Sequence, residues 1–84
     1  MQKDVKLSKA ELIKRITIDP DVSFGKPCIR GTRIWISLIM DNLASGVSEE
    51  EILAAYPSID KDDIRAALSY AAELARDRYV PLAV

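Results

Sequence analysis

The ten residues Gly25 to Ile34, GKPCIRGTRI, restrict what this chain can fold into more than any other stretch. They place a Gly-Lys-Pro turn, a short apolar step and a Gly-Thr-Arg turn in one segment. Lys26, Arg30 and Arg33 give it three positive charges, and it carries no acid. Gly25 and Gly31 admit positive φ where other residues resist it, while Pro27 fixes φ and removes a donor. The segment therefore reads as a shaped cationic loop or hairpin and not as continuous helix. Arg30 and Arg33 carry planar forks suited to phosphate, carboxylate or base edges. Trp35 and Ile36 then open a run with helical periodicity. A basic turn joined to a helical core points to a binding surface, not a catalytic pocket.

Helix signals surround that turn. Ser8 with Glu11 forms a capping box, and Leu7 with Leu12 fits a hydrophobic staple, so a short helix is expected over Leu7 to Leu12. Ile16-Thr17-Ile18-Asp19 is β-rich and ends at an Asp-Pro turn, and pairing with part of Cys28 to Ile34 would make a small sheet. Such a sheet needs helices behind it. From Trp35 to Ser45 the apolar positions Ile36, Ile39, Met40 and Leu43 recur at helical spacing, and Gly46 ends the run. Ser48 and Glu51 form a second capping box, with Val47 and Ile52 as its staple, and that helix stops before Pro57. A last helix starts at Asp60, stapled by Ile59 and Ile64. Its expected apolar face is Ile64, Ala67, Leu68, Ala71, Leu74 and Ala75, held to about Arg78.

The expected fold class is mainly α (α+β), a helix-turn-helix tri-helical core preceded by a short helix and a small β-hairpin. A single domain over 1–84 divides into an N-terminal helix or arm (1–14), a β element with the basic turn (15–34), a three-helix core (35–78) and a short tail (79–84). At 84 residues only one modest core is available. About half the residues, 49%, are apolar, which suits a globular chain and not a disordered one. Oligomerisation is a common remedy for so small a core, and a homodimer would fit. No apolar run is long enough to span a bilayer, and the first fifteen residues lack the apolar stretch of a secretory signal. The single cysteine, Cys28, excludes an internal disulfide framework, and the cytoplasm is the expected compartment.

Net charge is −1, unlike a protein that coats nucleic acid without specificity. Its distribution is uneven. Residues 1–36 carry eight Lys/Arg against four acids, and residues 37–84 carry four against nine. The front half suits phosphate and the back half repels it. A helix that reads DNA normally places basic and amide side chains at its start. The corresponding helix here begins Asp60-Lys61-Asp62-Asp63, and these acids are expected to serve the helix as cap and first-turn charges. The other route to DNA is a β-ribbon or arm bearing Lys26, Arg30 and Arg33. The same groups could instead pair with acids on the chain or hold the turn in shape.

Trp35 and Tyr56 could stack on bases, although packing in a core or dimer interface accounts for them more simply. Trp35, Tyr70 and Tyr79 are the candidate partner- or dimer-facing aromatics. Cys28 reads as a small core residue, since the chain has no histidine to act as its base. There is no phosphate-binding Gly-rich loop and no nucleophile-base set, so no enzyme, cofactor or metal site is expected.

The segment ITIDPDVSFGKPCIRGTRI, followed by GVSEEEILAAYPSIDKDDIRAAL, closely resembles the bacterial domain-of-unknown-function 433 (DUF433) family. The resemblance runs from about Arg15 to Arg76, with both blocks in order and at the family's spacing. It implies a small homeodomain-like protein of the kind described as a predicted antitoxin, whose gene often lies beside that of a PIN-like nuclease. It further implies that the chain binds and neutralises such a toxin and represses its own operon. Lys26, Arg30, Gly31, Thr32 and Arg33, in the family's hallmark block, are then the candidate contacts to nuclease or operator DNA. PIN-type sites are built from carboxylates around metal ions, so a projecting Arg30 or Arg33 could compete for them. Two other readings stay open: a stand-alone DNA-binding transcriptional regulator that uses the basic β-turn, and a structural dimer or adaptor domain without a nucleic-acid role.

Overall fold

The computed structural model describes residues 7–77. Its order is α1 (Lys9–Ile13), β1 (Ile16–Thr17), a 3-10 turn (Ser23–Gly25), β2 (Cys28–Ile29), α2 (Ile36–Ala44), α3 (Glu49–Ala55) and α4 (Lys61–Asp77). The architecture is therefore mainly helical, with a small antiparallel sheet between the first helix and the tri-helical core, as the sequence predicts. Tyr79 and the rest of the tail lie outside the described residues.

Local chemistry sets the helix boundaries. Ser8 and Ser48 each accept a hydrogen bond from the amide three residues on, and Glu11 and Glu51 accept one back from the Ser8 and Ser48 amides. Both predicted capping boxes are thus formed. Gly46, at φ 93°, ends α2. Its amide donates to the Leu43 carbonyl at 3.0 Å, and the Val47 amide donates to the Asn42 carbonyl at 2.9 Å. That pair of bonds is a Schellman ending, which a left-handed glycine makes accessible.

The sheet pairs Ile16 with Ile29 and Thr17 with Cys28. The other edge of β2 is occupied as well, by a bridge between Cys28 and Trp35. The Ile29 amide donates to the Ile34 carbonyl and the Ile36 amide to the Pro27 carbonyl, both at 3.0 Å. With both edges paired, β2 runs through the interior, and Cys28 and Ile29 are 0% and 2% exposed.

Seven isoleucines (16, 29, 36, 39, 52, 59 and 64) form the core together with Ala66 and Ala67. Branched side chains lose little rotamer freedom on packing, and the two alanines let α4 approach closely. The buried stripe of α4 is rotated from the predicted one. Ile64 and Ala67 are buried as expected, and Ala66 joins them, whereas Leu68 and Leu74 are 45% and 47% exposed. The cause is α1, which lies along α4. Lys9 pairs with Glu73 near one end, and Arg15 pairs with Asp60 and Asp63 at the other. α1 thus covers one flank of α4, and Leu68 and Leu74 lie outside the part that is covered.

Candidate functional site: a basic turn held by its own backbone

The Arg30–Arg33 turn is rigid for reasons that can be traced residue by residue. The Thr32 amide donates to the Ile29 carbonyl at 3.0 Å, closing a four-residue turn with Arg30 and Gly31 at its centre. Gly31 sits at φ 78°, the value a type II turn requires at that position. The Thr32 hydroxyl donates to the Ile29 carbonyl at 2.7 Å and accepts from the Ile34 amide at 3.0 Å. The Arg30 amide donates to the Arg15 carbonyl at 2.7 Å, which anchors the turn to the residue before β1. Gly31 and Thr32 therefore shape the turn, and Arg30 and Arg33 are what it presents.

Arg30 and Arg33 are exposed and face different clefts. Arg30 lines one with Glu11, Lys14 and Arg15, whereas Arg33 lines another with Thr17, Asp19, Val22 and Ser58. Lys26 lies apart from both, with its ammonium 5.1 Å from the centroid of the Trp35 ring. That is a cation–π contact at an exposed site, and Trp35 is 37% exposed. Tyr70 is half-buried and lines a third cleft together with Lys26. Lys26 thus contacts Trp35 and shares a cleft with Tyr70, and neither arginine lines that cleft. Cys28 is an interior residue whose thiol contacts the Lys26 carbonyl.

The acidic start of α4 has two roles. Asp60 and Asp63 cap each other reciprocally: the Asp63 amide donates to Asp60 Oδ1 and the Asp60 amide to Asp63 Oδ2, both at 2.9 Å. This is the helix-serving role expected of them. Sequence reasoning missed the cation that joins them. Arg15 Nη1 lies 3.0 Å from both Asp60 Oδ1 and Asp63 Oδ1, and its Nη2 is 3.9 Å from Asp62. The hydrogen bond that Arg15 donates to the Asp63 carboxylate raises the Arg15 pKa further. Burial pushes the Asp60 carboxyl up, but the Asp63 amide and Arg15 together hold it below its ordinary value. Arg65 also pairs with Asp62 at 3.0 Å, so the carboxylates that argued against DNA are largely committed within the chain.

Among the described residues, no three His, Cys, Asp or Glu side chains come together in an arrangement that could hold a metal ion. No described helix is long and apolar enough to cross a membrane.

A tri-helical core carrying a short β-hairpin with a basic turn defines a class of small helical domain, and the comparisons give it a family. The chain belongs to the DUF433 family, described as a protein of unknown function, whose model matches residues 16–71. It is similar to a crystal structure of a DUF433 member from Anabaena variabilis. The TM-score is 0.71 and the identity 31%, covering 81% of this chain and 67% of that one. It is also 41% identical, over 56 residues, to the Uncharacterized protein y4eO of Sinorhizobium fredii. That match covers 67% of this chain but spans only 25% of the relative.

Proposed function

We propose that this chain is a small non-catalytic binding module that acts as the antitoxin of a PIN-like nuclease and represses its own operon. One observation carries the reading. Of the arginines among the described residues, Arg15, Arg65 and Arg76 are paired with carboxylates, whereas Arg30 and Arg33 are exposed and form no ion pair with a described residue. Both stand on a turn closed by Thr32 and Gly31, so little order has to be imposed on binding. A planar guanidinium held outward in this way suits a bidentate bond to a carboxylate. A nuclease site built from carboxylates around metal ions offers that acceptor, and an arginine placed there occludes metal and substrate phosphate alike. The nuclease as partner is what the family resemblance implies, and the two arginines without a described ion pair are the means proposed.

The experiment is neutralisation of the cognate nuclease by the parent chain and by an Arg30→Ala/Arg33→Ala double variant. Loss of neutralisation with the fold intact is expected. Equal neutralisation by the double variant would sink the reading. Operator DNA is the second partner proposed, approached by the same turn and not by the acid-rich start of α4. Its binding should weaken steeply with salt, whereas capture of the nuclease should respond mildly.

A further inference from the structure

We propose that the cleft between α2 and α4 is occupied by a second copy of this chain, with Phe24 of each copy seated in the cleft of the other. The inference stands apart from the antitoxin reading, since it needs neither nuclease nor DNA. The cleft has a volume of about 370 Å³ and is walled by Pro27, Met40, Tyr70, Ala71 and Leu74. Leu74 on its wall is 47% exposed.

Beside it stands the complementary feature. Phe24 is 93% exposed, and its backbone is left-handed at φ 60°, as is that of Ser23 at φ 51°. A left-handed conformation costs a side-chain-bearing residue about 1–2 kcal/mol. A bulky aromatic held there in water returns nothing to its own fold, and strain of this kind gathers where a surface is shaped for contact. Lys26 lines the cleft and lies two residues from Phe24, so the knob stands on the backbone that forms the cleft's rim. A knob set beside a hole in this way closes as a two-fold pair, each copy giving and receiving the same contact.

The charges fit that symmetry. Lys26 and Asp41 both line the cleft, both are exposed, and neither forms an ion pair among the described residues. A two-fold axis between the copies sets Lys26 opposite the partner's Asp41, and Asp41 opposite the partner's Lys26. The net charge of −1 leaves little overall repulsion between copies. The aromatics agree as well, for none of those described lies in the fully buried core, and aromatics outside a core are enriched at interfaces.

The test is the association constant of the full chain, measured by sedimentation equilibrium from low to high micromolar concentration. A dimer is expected. Phe24→Asn, which suits a left-handed backbone and should fold, is expected to weaken it by about a hundredfold, as loss of a central aromatic anchor does. Lys26→Asp and Asp41→Lys should each weaken it by about tenfold, and the double variant should regain most of the loss. Rescue of association, with each single variant as stable as the parent in urea, marks a pair across the copies, because an effect on folding would show in the urea midpoint. A parent chain that stays monomeric overturns the proposal and leaves the cleft to a foreign partner. So does a dimer indifferent to Phe24→Asn, or a double variant no better than the weaker single.

Discussion

Arg15 Nη1 lies 3.0 Å from Asp63 Oδ1, across 48 residues of chain, and the contact joins the two halves of the fold. On one side of it the Arg15 carbonyl accepts the Arg30 amide, which orients the basic turn. On the other, Asp63 is 8% exposed and completes the reciprocal cap of α4. The guanidinium therefore neutralises a buried carboxylate at the point where hairpin and last helix meet. The turn keeps its position relative to α4 through this residue.

Replacing Arg15 by Met should destabilise the chain by about 2 kcal/mol, because it strands the nearly buried Asp63 and removes the fork shared with Asp60. Arg15→Lys should recover part of the loss, since a point charge cannot bond both carboxylates in one plane. Urea unfolding is the measurement, with a lower midpoint at unchanged slope expected. A midpoint within experimental error of the parent would show that the contact contributes nothing.

Stability should fall as pH drops below neutrality into the acid range. Glu11 and Glu51 are held below their ordinary value of 4.5 chiefly by the Ser8 and Ser48 amides, and Glu73 chiefly by Lys9. Asp60 lies below its ordinary 3.8, since burial is outweighed by the Asp63 amide and Arg15. For each, the folded form binds fewer protons than the unfolded form. The contribution is complete above the ordinary values and is lost as pH falls through the lowered folded ones. The chain has no histidine, so no comparable change is expected between about pH 5 and 8. A urea midpoint that stays level through the acid range, or that moves near neutrality, would contradict this.

Much of the fold was legible because its signals are local. Ser8 with Glu11, Ser48 with Glu51, and Gly46 each specify a helix end within three residues, and each end is where that chemistry puts it. Turn geometry at Gly31 and the strand pairing across it are short-range in the same sense. Arg15 was not legible, because its partners lie 45 and 48 residues away and no spacing rule links them. The rotated face of α4 escaped for a related reason, since periodicity gives the width of an apolar stripe but not which flank α1 will cover. Ser23-Phe24-Gly25 showed only its glycine, and nothing in composition marks an aromatic for a left-handed, exposed position. At the site, the three cations were visible but their division between clefts was not, for that depends on how the hairpin crosses the helices.

Gly31→Ala separates shape from charge in the basic turn. A Cβ at Gly31 meets no atom within 4 Å, so the substitution carries no clash and its cost is conformational. At φ 78° that cost should be about 1 kcal/mol, and Gly31→Asn, which tolerates the region better, should cost less. Thermal unfolding measures it, and equal stability for Ala and Gly would mean that the turn relaxes out of the left-handed region.

Thr32→Val tests whether the hydroxyl holds the turn for its arginines. The substitution keeps the side-chain shape and removes both the donation to the Ile29 carbonyl and the acceptance from the Ile34 amide. That leaves the Ile34 amide without its acceptor, while the Ile29 carbonyl keeps the Thr32 amide, and should cost about 1–2 kcal/mol. Arg30→Ala and Arg33→Ala, by contrast, remove exposed side chains without an ion pair among the described residues and should each shift stability by less than about 0.5 kcal/mol. The partner's response should invert that order for the arginines, with binding lost where stability is unchanged. For Thr32→Val both should fall together, since a loosened turn must be reordered before either guanidinium can engage. Measuring stability and neutralisation on the same three variants decides it. If Thr32→Val lost stability yet bound as well as the parent, the turn would not need to be rigid, and the arginines would act as free charges on a loop.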